Sequence, residues 1–369
     1  MFSDFKAITI VGLGLIGGSM AKALRDKGYK GRIYGVDHHG ENLRQALKDG
    51  VIDGTGYHAC DLLVLAVPVG HYEAVVKEAI GYLDPLGIVT DVGSVKEKAH
   101  HQVTPLLGEG QTFVGGHPMI GSEKSGFSAS KTHLFENAYY FITPDTESEG
   151  VQKIRQLVEV LGANPLLMNP KDHDRIVSRT SHIPQINAVA MVNMTLLGEE
   201  SLIDYVGGGF RDTTRIASSD PKLWKDILLN NREEILAGIK DYIRLLGAMR
   251  DAIDIGDGPY IQSEFEKARS QREKIPGHLM DWIEQGYEIF LDVQDRPGMI
   301  AGATTILADN AINIKDIEIV HARENIPGVL KLGFYNQEDQ LKAQELMKSA
   351  DFTWKSTHQS KNKEAFACK

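Results

Sequence analysis

Apolar and polar positions divide the chain into three stretches with different periods. Over the first 170 residues, short apolar runs rich in β-branched side chains occur at residues 7–11, 32–36, 62–67, 87–92, 112–115 and 139–143. Runs of that length predict strands buried on both faces of a parallel sheet. Between them, residues 16–24, 72–83, 95–106 and 149–162 carry helical spacing. Strands alternating with helices predict a doubly wound α/β sheet, which binds ligands outside the carboxyl ends of its strands. From Lys171 to Lys274 the strand signal disappears, and residues 173–197 (interrupted by Pro184), 221–229, 233–253 and 261–274 read as helices. Pro276-Gly277 marks a boundary. Beyond it, a strand at 288–293, a helix at 299–310, strands at 317–322 and 329–334 and a helix at 338–349 predict a separate β-α-β-β-α unit. The expected organisation is a Rossmann-like nucleotide-binding domain (1–170), an all-helical domain (171–276) and a small C-terminal α+β domain (286–357). By analogy, a helical segment beside a nucleotide domain supplies substrate contacts and a dimer interface.

The first strand runs straight into Gly12-Leu13-Gly14-Leu15-Ile16-Gly17. Gly12 permits the tight turn, Gly14 lets the backbone approach a pyrophosphate, and Gly17 lets the helix pack closely on the strand. The second strand ends in Asp37, twenty positions after Gly17. A carboxylate there accepts hydrogen bonds from ribose hydroxyls and repels a 2′-phosphate. A glycine triplet alone fits an ordinary strand–helix turn equally well; the strand, helix and acidic residue around it favour bound NAD. Val67-Pro68, at the end of another strand, lies on the expected cofactor side.

Composition narrows the function. The net charge of −10 argues against broad nucleic-acid binding, so an anionic substrate needs locally placed arginines. The two cysteines, Cys60 and Cys368, and the absence of Cys-x-x-Cys or His-x-x-x-His spacing give no disulfide framework and no metal site. The apolar run at 62–69 is too short for a membrane span and is broken by Pro68. With the first core strand starting almost at once, no signal sequence is expected, and the cytoplasm is the plain reading.

Four polar groupings could carry chemistry. His117, in Gly115-Gly116-His117-Pro118, stands at a strand end on the ligand side, which favours a general base over a loop histidine. Ser94 reads by itself as a helix N-cap, with Glu97 completing a capping box. His182 in Ser181-His182-Ile183-Pro184 reads by itself as a core or surface histidine, and His173, nine positions earlier, falls about half a turn out of phase on an ideal helix. Gly207-Gly208-Gly209-Phe210-Arg211-Asp212 with Arg215 is either a flexible charged turn or a carboxylate clamp.

In these motifs the chain closely resembles prephenate dehydrogenase of tyrosine biosynthesis. The resemblance runs through residues 12–19, Asp91-Val92-Gly93-Ser94-Val95-Lys96, Gly115 to Glu123, Ser181-His182-Ile183-Pro184 and Gly207 to Pro221. The terminal segment resembles an ACT domain, of ferredoxin-like fold, through Asp295-Arg296-Pro297-Gly298-Met299 and Ala311-Ile312-Asn313-Ile314. No chorismate mutase segment is seen before the first strand.

The resemblance implies oxidative decarboxylation of prephenate to 4-hydroxyphenylpyruvate, with NAD held by Gly12, Gly14, Leu15, Ile16, Gly17, Asp37, Val67 and Pro68. It implies that His117 is the base, Ser94 orients base and substrate, Arg215 binds a carboxylate and His182 is a second substrate-site histidine. Glu123, Asp212 and Arg211 match an ionic gate or specificity cluster, and Gly208 a backbone amide donor. A homodimer through the helical domain, pairing of ACT units, and tyrosine as effector near Asp295, Gly298 and Asn313 are also implied. Arogenate dehydrogenase is the nearest alternative. A β-hydroxyacid-type dehydrogenase would use a helical-domain lysine as base, against which the Gly-His-Pro motif argues, and a non-enzymatic NAD sensor is the remaining alternative.

Overall fold

The computed structural model describes residues 5–120, 126–195, 197, 200–274, 287–293, 297–320, 328–350 and 353–356. Glu123 and Asp295 lie outside the described residues. The chain divides into two compact units, Met1–Phe265 and Glu266–Lys369.

The first unit is built on eight strands and the helices between them. In chain order they are β1 (Ala7–Val11), α1 (Leu15–Asp26), β2 (Arg32–Val36), α2 (Gly40–Lys48), β3 (Gly54–Thr55), β4 (Cys60–Leu65), α3 (Tyr72–Ala79), β5 (Leu83–Asp91), α4 (Glu97–Val103), β6 (Thr112–Pro118), β7 (Tyr139–Pro144), α5 (Glu149–Val160) and β8 (Asn164–Leu167). The sheet order is β3-β2-β1-β4-β5-β6-β7-β8. Pairing is parallel from β3 to β6, β7 runs antiparallel to β6, and β8 is parallel to β7. Side chains alternate faces along a strand. Leu62 and Val64 of β4 therefore enter one core with Ile8, Met20 and Ile33, while Leu63 and Leu65 enter the other with Tyr72, Val89 and Phe113. Helices cover both faces, as a doubly wound sheet requires.

The helical part follows as α6 (Pro170–Val177), α7 (Ile183–Thr195), α8 (Gly208–Thr214), α9 (Pro221–Asn230), α10 (Arg232–Ile255) and α11 (Gly258–Arg272), the last crossing from one unit into the other. Ile227 of α9 joins the second sheet core, with Trp224 packed against it. Along α10, Leu236, Ile243, Leu245, Leu246 and Ile253 are each more than half exposed. Among the described residues, no helix is long and apolar enough to cross a membrane.

The second unit carries β9 (Tyr287–Val293), α12 (Met299–Asp309), β10 (Asp316–Val320), β11 (Gly328–Phe334), α13 (Gln337–Ser349) and β12 (Thr353–Ser356). Its sheet, β10-β11-β9-β12, is antiparallel throughout. Ile289, Leu291, Leu330, Leu332 and Phe334 alternate inward to meet Ala303, Leu307, Ala343 and Met347 of the helices.

Three departures from the sequence reading matter. Strand β6 runs three residues past the predicted 112–115, to Pro118, so the strand-end His117 is itself part of the sheet, opposite Phe141. Strands β3, β8 and β12, of two to four residues each, are absent from the sequence reading and form by pairing with a neighbour. Pro184 does not break the helix at 173–197. A π-helical turn, Ser178–His182, leads directly into α7, whose second residue is this proline. The wider i→i+5 turn makes room for a residue that cannot donate an i→i−4 bond.

Candidate active site

The three glycines of the first turn have three different surroundings. Gly12 has φ +96°, and a Cβ there would fall 2.3 Å from the carbonyl oxygen of Ala66. A Cβ on Gly17 would fall 2.0 Å from the Gly12 carbonyl oxygen. Around Gly14 nothing lies within 4 Å of the added atom, and the N-terminus of α1 has no side-chain cap. Crowding at the first and third glycines and open space at the second are what a pyrophosphate at a helix N-terminus requires. Leu15 and Ile16 open the helix behind it, and Val67, two residues beyond the end of β4 and just before Pro68, closes on Gly12. The Asp37 side chain is only 4% exposed. Its carboxylate accepts from the Leu13 amide (2.8 Å), the His39 amide (2.7 Å) and Asn42 Nδ2 (3.1 Å). A carboxylate offers about four acceptor positions, which leaves about one for a ribose hydroxyl.

Asp91, at the carboxyl end of β5, is fully buried and organises the neighbouring strands. It accepts from Tyr72 Oη (2.8 Å), the Gly93 amide (3.0 Å) and the Gly116 amide (2.9 Å), and forms an ion pair with Lys96. Lys96 Nζ also donates to the Gly116 carbonyl at 2.6 Å, holding the residue before His117 from both sides. Burial pulls the Lys96 ammonium below its ordinary value, while Asp91 and then Asp174 pull the other way. The Tyr72 hydroxyl is pushed well up, by burial first and then by the Asp91 charge.

His117 is one end of a buried chain of three groups. Asp174 Oδ1 accepts from His173 Nδ1 at 2.7 Å, and His173 Nε2 lies 2.8 Å from His117 Nδ1. A carboxylate only accepts, so the proton of neutral His173 is on Nδ1 and its Nε2 is an acceptor. His117 Nδ1 must then donate, which leaves a lone pair on His117 Nε2. Burial first, and then the neighbouring His173, Lys96 and His182, which disfavour a further positive charge beside them, hold His117 well below the ordinary imidazole value. His173 is also lowered by burial, against the pull of Asp174. His182, fully buried, is drawn down to about 4 by burial, with Asp174 opposing and His173 assisting.

Asp174 also corrects the reading of Ser94. The N-cap position of α4 is Lys96, and the free amides of Lys96 and Glu97 donate to Asp174 Oδ1 and Oδ2 at 2.8 and 2.9 Å. Neither Ser94 nor a capping box serves this helix, because a carboxylate 78 residues downstream satisfies both amides. Ser94 is left half-buried between β5 and α4.

The out-of-phase reading of His173 and His182 also fails. The π-turn between them departs from the 100° step of an α-helix, and both rings turn inward to the same acidic residue, Asp174. His173 and Asp174 were not among the predicted site residues, and the adjacent His-Asp pair was the one signal available.

Arg211, Asp212 and Arg215 are exposed on α8 and the turn after it, and Gly208 has open space around its α-carbon. Among the described residues, no hydrogen bond or ion pair joins them to Ser94, His117 or His182. Gln185 Nε2 donates to the Ile216 carbonyl at 2.8 Å, which ties this segment to α7. In the second unit, Gly298 takes φ +93° at the N-cap of α12 with open space around it, and Asn313 is exposed. Among the described residues, no group of three or more His, Cys, Asp and Glu side chains could hold a metal ion.

Family models match three consecutive stretches of the chain. They are the prephenate dehydrogenase nucleotide-binding domain at residues 20–166, the prephenate dehydrogenase dimerization domain at 169–267, and the ACT domain at 287–343. The prephenate dehydrogenase of Bacillus subtilis (strain 168) is 36% identical over 354 residues, covering 93% of this chain and 95% of its own. A solved prephenate dehydrogenase from A. aeolicus, in complex with hydroxyphenyl propionate and NAD+, is 32% identical with a TM-score of 0.70, covering 75% of this chain and all of that one. Arogenate dehydrogenase from Synechocystis is 29% identical with a TM-score of 0.65, covering 73% of this chain and all of that one. A nucleotide sheet, a helical region and an antiparallel ACT sheet in this order, with identity spread over nearly the whole length, mean that the chain belongs to the prephenate dehydrogenase family.

Proposed function

We propose that this protein is a cytoplasmic, NAD-dependent prephenate dehydrogenase that converts prephenate to 4-hydroxyphenylpyruvate and carbon dioxide. The observation that carries the reading is the Asp174–His173–His117 chain, which leaves Nε2 of the buried His117 ring as an acceptor. Bound at the Gly12–Gly17 turn, NAD supplies the hydride acceptor. His117 Nε2 takes the proton of the ring carbinol, which raises the hydride-donating power of its carbon. Loss of carbon dioxide makes the ring aromatic, and the proton returns to the same oxygen as the phenol forms. Burial keeps His117 deprotonated at neutral pH, and Lys96 and Asp91 hold its strand in place.

Substrate contacts are assigned to Ser94, His182, Arg215 and the Gly208 amide, with Glu123, Arg211 and Asp212 as the specificity cluster. Arg215, exposed and without an ion pair among the described residues, is available to a carboxylate. The apolar face of α10 supports a homodimer through the helical region. The open Gly298 turn and exposed Asn313 support tyrosine as effector of the ACT unit, with Asp295 as a third contact and ACT pairing as its setting. A second reading, arogenate as substrate, is favoured by the likeness to the Synechocystis enzyme. Steady-state assays with prephenate and arogenate, each with NAD and NADP, test both. Prephenate with NAD should give the highest kcat/KM, and a higher value with arogenate would replace this reading by the second. Comparable efficiency with both cofactors would remove the role given to Asp37.

A further inference from the structure

Asn231 occupies the junction of two helices, as the C-cap of α9 and the N-cap residue of α10, and is 4% exposed. Its side chain does not cap α10. Instead Nδ2 reaches two acceptors on other elements, the main-chain carbonyl of Asp174 at 2.9 Å and His182 Nδ1 at 3.2 Å. A carbonyl cannot donate, so the bond to Asp174 settles which end of the amide faces inward. The second N–H of the same nitrogen then points at His182 Nδ1, which has to accept. His182 Nε2 has no hydrogen-bond partner among the described residues and is not one of their sealed, unpaired polar atoms, although the residue as a whole is only 1% exposed.

We propose that Asn231 is a positioning residue that fixes the tautomer of His182, so that His182 Nε2–H is a permanent donor to a substrate oxygen. The site thereby holds two neutral imidazoles in opposite tautomers. His117, anchored through His173, accepts at Nε2; His182, anchored through Asn231, donates at Nε2. One carboxylate residue, Asp174, organises both anchors, through its side chain for His117 and its carbonyl for His182. The arrangement prevents His182 from competing for the carbinol proton. The groups facing His182 are Asp174 and His173 of α6, His117 of β6 and the Trp224 ring of α9, whose centroid is 6.0 Å away. The assignment of His182 to substrate rests on the function proposed above, whereas its tautomer does not.

Two measurements separate these points. In full-length protein labelled with 15N-histidine, with His182 assigned through His182→Gln, NMR at neutral pH should show a protonated Nε2 and an unprotonated Nδ1. A proton on Nδ1 would overturn the proposal whatever the enzyme's substrate. The near-isosteric Asn231→Asp replaces the donor by a carboxylate that accepts from Nδ1–H. His182 then keeps its Nε2 proton only while it is an imidazolium, and loses it as pH rises. KM for prephenate in this variant should rise at least tenfold across that titration, with a smaller change in kcat and no matching rise in the wild type. A uniform loss of activity at every pH would reduce Asn231 to a structural role. If Asn231→Asp does not fold, the wild-type spectrum still decides the tautomer. A correct tautomer in a protein that does not oxidise prephenate would refute the functional reading alone.

Discussion

Acidification should destabilise the folded chain through its buried imidazoles, and His182 allows the size of the effect to be worked out. Its folded value is about 4 against an ordinary 6.5, with burial as the main cause. Above pH 6.5 both folded and unfolded chains hold the ring neutral, so its contribution to stability is complete. Between 6.5 and 4 the unfolded chain binds a proton that the folded chain refuses, and stability falls. Each tenfold loss of proton affinity is worth about 1.4 kcal/mol, so His182 alone accounts for roughly 3 kcal/mol, most of it lost by about pH 4.5. His117 and His173 are lowered in the same direction and steepen the loss. Urea unfolding of the full-length protein and of His182→Gln, at about pH 7.5 and pH 4.5, reads mainly this ring and its coupling to His117 and Asp174, because the carboxylates away from it titrate alike in both proteins. The wild type should lose about 2–3 kcal/mol more than the variant over this interval. Equal losses would mean that His182 is not a neutral buried imidazole, and the electrostatic account of the site would fall with it.

Replacing the base, His117→Asn, should leave NAD binding nearly intact by titration and lower kcat by about a hundredfold or more. The wild-type acid limb of kcat/KM should lie below pH 6.5, since burial and neighbouring charge lower this imidazole, and a limb above 6.5 would contradict that cause. Arg215→Ala should raise KM for prephenate by an amount equivalent to about 2–5 kcal/mol if the bound carboxylate is dry, with Arg215→Lys recovering part of the loss. Unaltered prephenate affinity would remove Arg215 from the site. Truncation after Lys274 should preserve turnover and abolish most tyrosine inhibition if the ACT unit carries the effector. Inhibition that persists would place tyrosine at the catalytic site, and a full-length enzyme insensitive to tyrosine would end the regulatory reading.

Local sequence determined what local physics controls. Apolar runs long enough to span a sheet named the central strands, because β1, β4 and the later half of β5 bury both faces and tolerate no polar alternation. The glycines of the first turn were legible because each meets a constraint within the turn or on the strand beside it. His117 was legible as a candidate base from its place at a strand end and its Gly-His-Pro surroundings, and the family resemblance points to the same residue. Tertiary structure decided the rest. Strands β3, β8 and β12 form because a neighbour offers unpaired backbone, a condition their own residues do not state. The cap of α4 comes from Asp174 on a helix 78 residues away, so Ser94 and Glu97 gave a local answer to a non-local contact. His173 and His182 face the same acidic residue because a π-turn alters the helical phase between them, which ideal periodicity omits. The tautomers of His117 and His182 depend on Asp174, His173 and Asn231, brought from α6 and the α9–α10 junction. A proton's position on an imidazole is set by the partner across the hydrogen bond, and only the folded chain chooses that partner.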